Sequence, residues 1–200
     1  MNNRKSIVLS GVILIILLFL PGAGISANNP KPLPESPREL TKLFCKLDFE
    51  GARLSTDSYQ KSDIAKFLVP GEFESPGWDT VVLVTKYKIE KENLNDKQAS
   101  VTVSYDVIGT VSSDLTVMKH KAPYTFRFKK QKNRWVMIEP YDLPQHISID
   151  TAIKHLEGLL KIQGEVEPST TAVIEKLKQL KRRLNKSGSS AESVIDFRFR

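Results

Sequence analysis

Three histidines, a single cysteine and several strand tyrosines are the side chains of this 200-residue chain with chemistry to offer. His120, His146 and His155 stand far apart and show no metal-ligand spacing, so no metal and no cofactor is expected. His146, just after Pro144, reads as a loop residue and His155 as a helix-surface one. Cys45 falls deep in a helical pattern, where it reads as a small buried apolar residue. Standing alone, it cannot close an intrachain disulfide. No glycine-rich phosphate loop, nucleophile elbow or Cys/His dyad appears.

The aromatic residues carry the next signal. Alternation along the strands puts Tyr87, Tyr105 and Tyr124 on the inward face together with Thr85. With Trp135 they are the candidates to line a ligand pocket, the tyrosine hydroxyls serving as hydrogen-bond donors. The competing reading makes them amphipathic core or rim residues whose hydroxyls reach water. Alternation sets Asp106 opposite Tyr105, hence outside, unless a bulge shifts the register by one residue. Asp57 and Tyr59 form a second polar pair after the first helix and read as solvated turn groups. Trp78 and Trp135 read first as core aromatics. No catalytic residue is assigned.

The elements that must position these groups are legible. Ser36 is a helix N-cap, Pro37 fits the first helical position and Glu39 completes a capping box. Leu40, Leu43, Phe44, Leu47 and Leu54 recur at helical spacing to about Ser55. A second helix is expected from Ser62, burying Ile64, Phe67 and Leu68 before Pro70. The period then changes to two. Val81, Leu83, Thr85, Tyr87 and Ile89 share a strand face, Glu90–Gln98 turns, and Val101, Val103, Tyr105 and Val107 answer. Leu115–Lys119 and Tyr124–Phe128 read as separate strands, and Gln131-Lys132-Asn133 turns into Arg134–Glu139. Val82 and Val84, like Val136 and Ile138, are apolar on the opposite face, so the sheet needs a cover on both sides. One cover is the N-terminal helix; the other is the C-terminal helix or a second subunit. Asp150 caps a later helix, and Ser169 starts another with Val173, Leu177, Leu180 and Leu184 on one stripe.

Charge and hydropathy divide the chain. Arg4 and Lys5, the apolar run Ile7–Leu20 and the small residues to Ala27 have the order of a secretory signal. Cleavage after Ala27 leaves about 173 residues outside the cytoplasm, in a bacterial periplasm or the extracellular space. The alternative is an inner-membrane anchor through residues 7–20, although 14 apolar residues fall short of the ~20 a spanning helix needs. The expected organisation is a signal peptide at 1–27, a linker at 28–35, an α+β domain at 36–142, a helical extension at 143–168, and a basic amphipathic helix with a disordered tail at 169–200. Residues 171–200 hold eight Lys or Arg against three acids, whereas 28–170 balance. Lys176, Lys181, Arg182 and Arg183 are therefore the partner-contact candidates, towards an acidic protein, a cell-wall polymer or an anionic membrane surface. A neutral globular part gives no reason to expect nucleic acid.

The pattern also resembles a known family. Trp78–Glu90, Ala99-Ser100-Val101-Thr102-Val103-Ser104-Tyr105, Tyr124-Thr125-Phe126-Arg127-Phe128-Lys129 and the hairpin Asn133-Arg134-Trp135-Val136-Met137-Ile138 are similar to the strands of the nuclear-transport-factor-2-like, cystatin-like cone superfamily. Over residues 36–142 the resemblance implies a curved, mainly antiparallel sheet wrapped on an N-terminal helix, with an apolar pocket and frequent dimers. Its members include isomerases, dehydratases, ligand binders and non-catalytic subunits of envelope assemblies, and a shared fold does not choose among them. The expectation is a non-catalytic exported module contacting an envelope or extracellular protein, a small apolar ligand or a second copy of itself. The alternatives are a small lyase or isomerase and an anchored subunit of an envelope assembly.

Overall fold

The computed structural model describes residues 33–69, 79–163 and 168–188. The apolar run 7–20, the cleavage position at Ala27, most of the linker, Trp78 and the tail from 189 onward lie outside these residues.

Helix α1, Pro37–Phe49, begins as its sequence dictates. Ser36 is extended and its Oγ accepts from the Glu39 N–H, with Pro37 in the first turn. The Glu39 carboxylate does not complete the capping box; it turns to Lys42 Nζ at 2.6 Å. The helix ends at Phe49, not near Ser55, because Gly51 takes φ +90°. There the Gly51 N–H donates to the Asp48 carbonyl and the Ala52 N–H to the Leu47 carbonyl, a Schellman close. Ser55 then caps a short α2, Thr56–Lys61, so the second helix starts six residues earlier than Ser62 suggests. A 3-10 turn at Ile64–Lys66 follows, and Ile64, Phe67 and Leu68 are buried as their pattern requires.

The sheet has five strands in the order β4-β3-β2-β1-β5. Strands β1 (Val81–Leu94), β2 (Gln98–Val111), β3 (Leu115–Gln131) and β4 (Arg134–Glu139) run antiparallel, and β5 (Gln145–Ile147) lies parallel to β1. The segment read as a helical extension thus contributes an edge strand. The two strands expected at Leu115–Lys119 and Tyr124–Phe128 are one strand of 17 residues. Lys132 and Asn133, both at positive φ, form the tight turn into β4. The fold is α+β, with a curled, mainly antiparallel sheet on α1 and further helices at the C-terminal end.

Bulges decide which residues face inward. The β1–β2 register shifts around Val84 and again between Ile89 and Lys91, bending the strand as bulges do. Val81 and Leu83 therefore face one core while Val84, Tyr87 and Ile89 face the other, and Thr85 is exposed. The expectation of one continuous Val81–Ile89 face is corrected accordingly. The first core packs Leu40, Phe44 and Cys45 of α1 on Val101, Val103, Tyr105, Phe126, Phe128 and Met137.

The second cover comes from this chain. Helices α3 (Ile149–Gln163) and α4 (Pro168–Gly188) close over Val81, Leu83, Ile108 and Val111 with Ala152, Leu156, Val173, Leu177 and Leu180. Ser148, not Asp150, caps α3, its Oγ accepting from the Thr151 N–H. Among the described residues no helix is long and apolar enough to cross a membrane.

Candidate functional site

The polar residues that the fold gathers are buried between α1 and the sheet. Asp48 lies on the same face of α1 as Phe44 and Cys45, one turn on, and is 1% exposed in its side chain. The reversal at Gly51 brings Arg53 back onto it. Arg53 Nε donates to Asp48 Oδ1 at 2.9 Å and Nη2 donates to Oδ2 at 3.1 Å, a two-pronged pair. The same guanidinium donates to the carbonyls of Leu143 and Pro144, both at 2.9 Å, pinning the approach to β5. Asp48 Oδ2 also accepts from the His146 backbone N–H at 2.9 Å. One carboxylate and one guanidinium thus lock α1, the turn after it and β5 together.

His146 is thereby carried into the core and is fully buried, correcting its reading as a loop residue. Its ring stacks on Tyr105 at 4.2 Å between centroids and meets the edge of Tyr124 at 5.0 Å. Neither ring nitrogen has a hydrogen-bond partner, and Nδ1 stands 4.0 Å from Asp48 Oδ2. Burial pushes the imidazole pKa down to about 4; attraction from Asp48 opposes this and repulsion from Arg53 adds to it. The ring is neutral at pH 7. Cys45 Sγ lies 3.1 Å from the Tyr105 hydroxyl, and burial pushes its thiol up to about 12. Burial likewise raises Tyr105 well above the ordinary phenol range.

The arrangement leaves few groups available for proton transfer. A general base needs a free lone pair within reach of a substrate. Both Asp48 oxygens are taken by Arg53 and the His146 amide, and Cys45 keeps its proton, which removes a thiolate nucleophile. His146 alone among these groups retains unused ring nitrogens. Phe44, Tyr105 and Phe126, all buried, fill the space beneath the sheet.

The predicted residues separate into two places. Tyr87, Tyr105 and Tyr124 come together, with ring centroids 6.2 and 5.8 Å from Tyr105, which is buried in the core cluster while Tyr87 and Tyr124 pack against it partly buried. Trp135 lies apart on β4. It borders a surface groove of about 580 Å³ with Leu33, Phe67, Lys130 and Arg134, and Lys130 Nζ sits 5.7 Å from its ring centroid. Asp106 faces outward and pairs with Lys86 at 3.2 Å. Asp57 is on α2, paired with Lys61. His120 is exposed, and His155 is half-buried with its pKa lowered by burial. Among the basic candidates, Lys176 pairs with Asp114 at 2.6 Å and Lys181 with Asp150, so both tie α4 to its own molecule; Arg182 and Arg183 are exposed. Among the described residues no group of three His, Cys, Asp or Glu side chains is placed to hold a metal ion.

Sequence reasoning does not reach Asp48, Arg53 or His146. Asp48 carries a signal in retrospect, since it falls on the buried stripe of Leu40, Phe44 and Cys45. His146 carries none, because its burial depends on a three-residue strand that only tertiary pairing creates.

No family model matches the chain, and no curated protein does. A solved structure described as an Ntf2 like protein involved in plasmid conjugation is similar to it over 52% of this chain and 39% of that one, at 19% identity and a TM-score of 0.29.

Proposed function

We propose that this chain is an exported, non-catalytic binding module that meets another envelope protein through its outer surface. The observation that carries this reading is the buried polar interior, where Asp48 is consumed by Arg53 and the His146 amide and the residues around it pack into one core cluster. The groove beside Trp135 is the better contact, since an aromatic ring flanked by Lys130 and Arg134 matches the residue types that anchor interfaces. Export rests on Arg4, Lys5 and the apolar run to Leu20.

A photo-crosslinking residue at Trp135, placed in the full chain in its native host, tests the contact. The binding reading expects a discrete protein adduct from position 135 that is absent from the exposed Ile162 on α3. Identical adduct patterns from both positions overturn it. The mass of the recovered chain reads export in the same experiment: a start at Asn28 supports cleavage, and a start at Met1 supports the anchored alternative. A small lyase or isomerase is the second reading, favoured by His146 and its free nitrogens. His146→Phe distinguishes the two, because binding at Trp135 survives it and proton transfer does not.

A further inference from the structure

The outer face of the sheet is divided in two, and only one half is covered by α3 and α4. On the open half, the strand register lines up rows across β1, β2 and β3: Lys86–Asp106–Lys121, Lys88–Ser104–Pro123, Lys91–Thr102–Thr125 and Asn93–Ser100–Arg127. Hydroxyls form a ridge along the middle. Thr102 and Thr125 share a hydrogen bond of 3.1 Å, and Asn93 donates to Ser100 at 3.2 Å. Cations flank the ridge, with Lys86, Lys88 and Lys91 on one side and Lys121, Arg127 and Lys129 on the other. Three carboxylates answer six cations: Asp106 with Lys86, Glu90 with Lys88 and Glu139 with Arg127. Among the described residues Lys91 and Lys121 are exposed and hold no ion pair. A globular part that is neutral in sum is therefore polarised, with its positive excess on this face.

We propose that this face docks an extended phosphate polyanion built on a polyol backbone. Same-face side chains repeat at about 6.6–6.8 Å along a strand and strands lie about 4.8 Å apart, so the cations form two parallel rails about 10 Å apart with hydroxyls between them. Phosphates take the ammonium and guanidinium rails, and polyol hydroxyls exchange hydrogen bonds with Ser100, Thr102, Ser104 and Thr125. Pro123 is the lone apolar side chain in these rows, with Leu94, Val136 and Ile138 confined to the end beside Arg127 and Lys129, so the middle of the face lacks the buried aromatic or aliphatic anchor of a protein interface. It equally lacks the aromatic platforms on which bases stack. This goes beyond the envelope-protein reading by adding a second partner class, and it uses a different face from the Trp135 groove, so the two fail separately.

Titrating labelled poly(glycerol phosphate) into the full chain tests it. Binding is expected to weaken on the order of 10-fold between ~50 and ~200 mM salt, as counterion release at a few phosphates requires. The double variant Lys91→Gln, Lys121→Gln is expected to lose a further ~10-fold and to flatten the salt slope by about one to two. Trp135→Ala and Arg182→Gln are expected to bind as the parent does. Unchanged binding by the double variant, or loss confined to Arg182→Gln, overturns the assignment. Equal binding of polyglutamate of matched charge overturns it in favour of an acidic protein. Binding to phosphatidylglycerol vesicles without binding to the free polymer overturns it in favour of a membrane surface.

Discussion

His146 shows what the fold tolerates for the sake of closure. An orphaned buried polar group costs about 1–3 kcal/mol, and this ring leaves both nitrogens without partners. Its pKa falls from 6.5 to about 4 on folding, so the unfolded chain binds the extra proton between those values. Stability contributed by the neutral ring is whole above pH 6.5 and is lost as pH falls towards 4, by about 3 kcal/mol in all. Denaturant midpoints measured from pH 7.5 to 4 are expected to show that decline, and His146→Phe, which keeps the stack on Tyr105, is expected to remove most of it. Arg53→Ala leaves Asp48 buried without its cation and is expected to cost about 3–5 kcal/mol in the same assay. A loss below about 1 kcal/mol would mean the pair does not hold the interior. At this scale the sequence was half legible. The inward direction of Tyr105 follows from alternation alone, whereas the fate of His146 depends on pairing between β5 and β1, residues more than sixty positions apart.

Among the elements, local chemistry was readable and long-range geometry was not. Ser36 and Pro37 announce α1, and its end follows from Gly51. A Cβ at Gly51 would sit 2.7 Å from Thr151 Cγ2, on a backbone at φ +90°. Gly51→Ala is therefore expected to destabilise by about 1–3 kcal/mol, with the thermal midpoint as readout. Strand β3 reads as two, and Pro123 lies between the two runs. Yet β4 pairs only with Arg127–Gln131, so β3 is an edge at Pro123, where a missing N–H is tolerated. The bulges in β1 are likewise silent in the sequence, and they divide one apolar face between two cores. Leu177 anchors α4 and is fully buried; Leu177→Ala is expected to cost about 2–5 kcal/mol. Lys176→Gln is expected to change stability little, because an exposed ion pair contributes little. A null result for Leu177→Ala would mean that α4 is not docked.

On the scale of the whole molecule, two apolar layers pack on the sheet, one under α1 and one under α3 and α4, the latter on half of the outer face. The charge division between a neutral body and a basic tail is visible in the sequence. That the body is itself polarised emerges only from the register that aligns β1 and β3 across β2. Closure of the interior is the claim on which the binding reading stands, and the single thiol, buried against Tyr105, reports it directly. The rate at which a water-soluble thiol reagent labels Cys45 at neutral pH, followed against denaturant, should track global unfolding. Fast labelling in the native state, independent of denaturant, would show an interior open to solutes and would contradict this account.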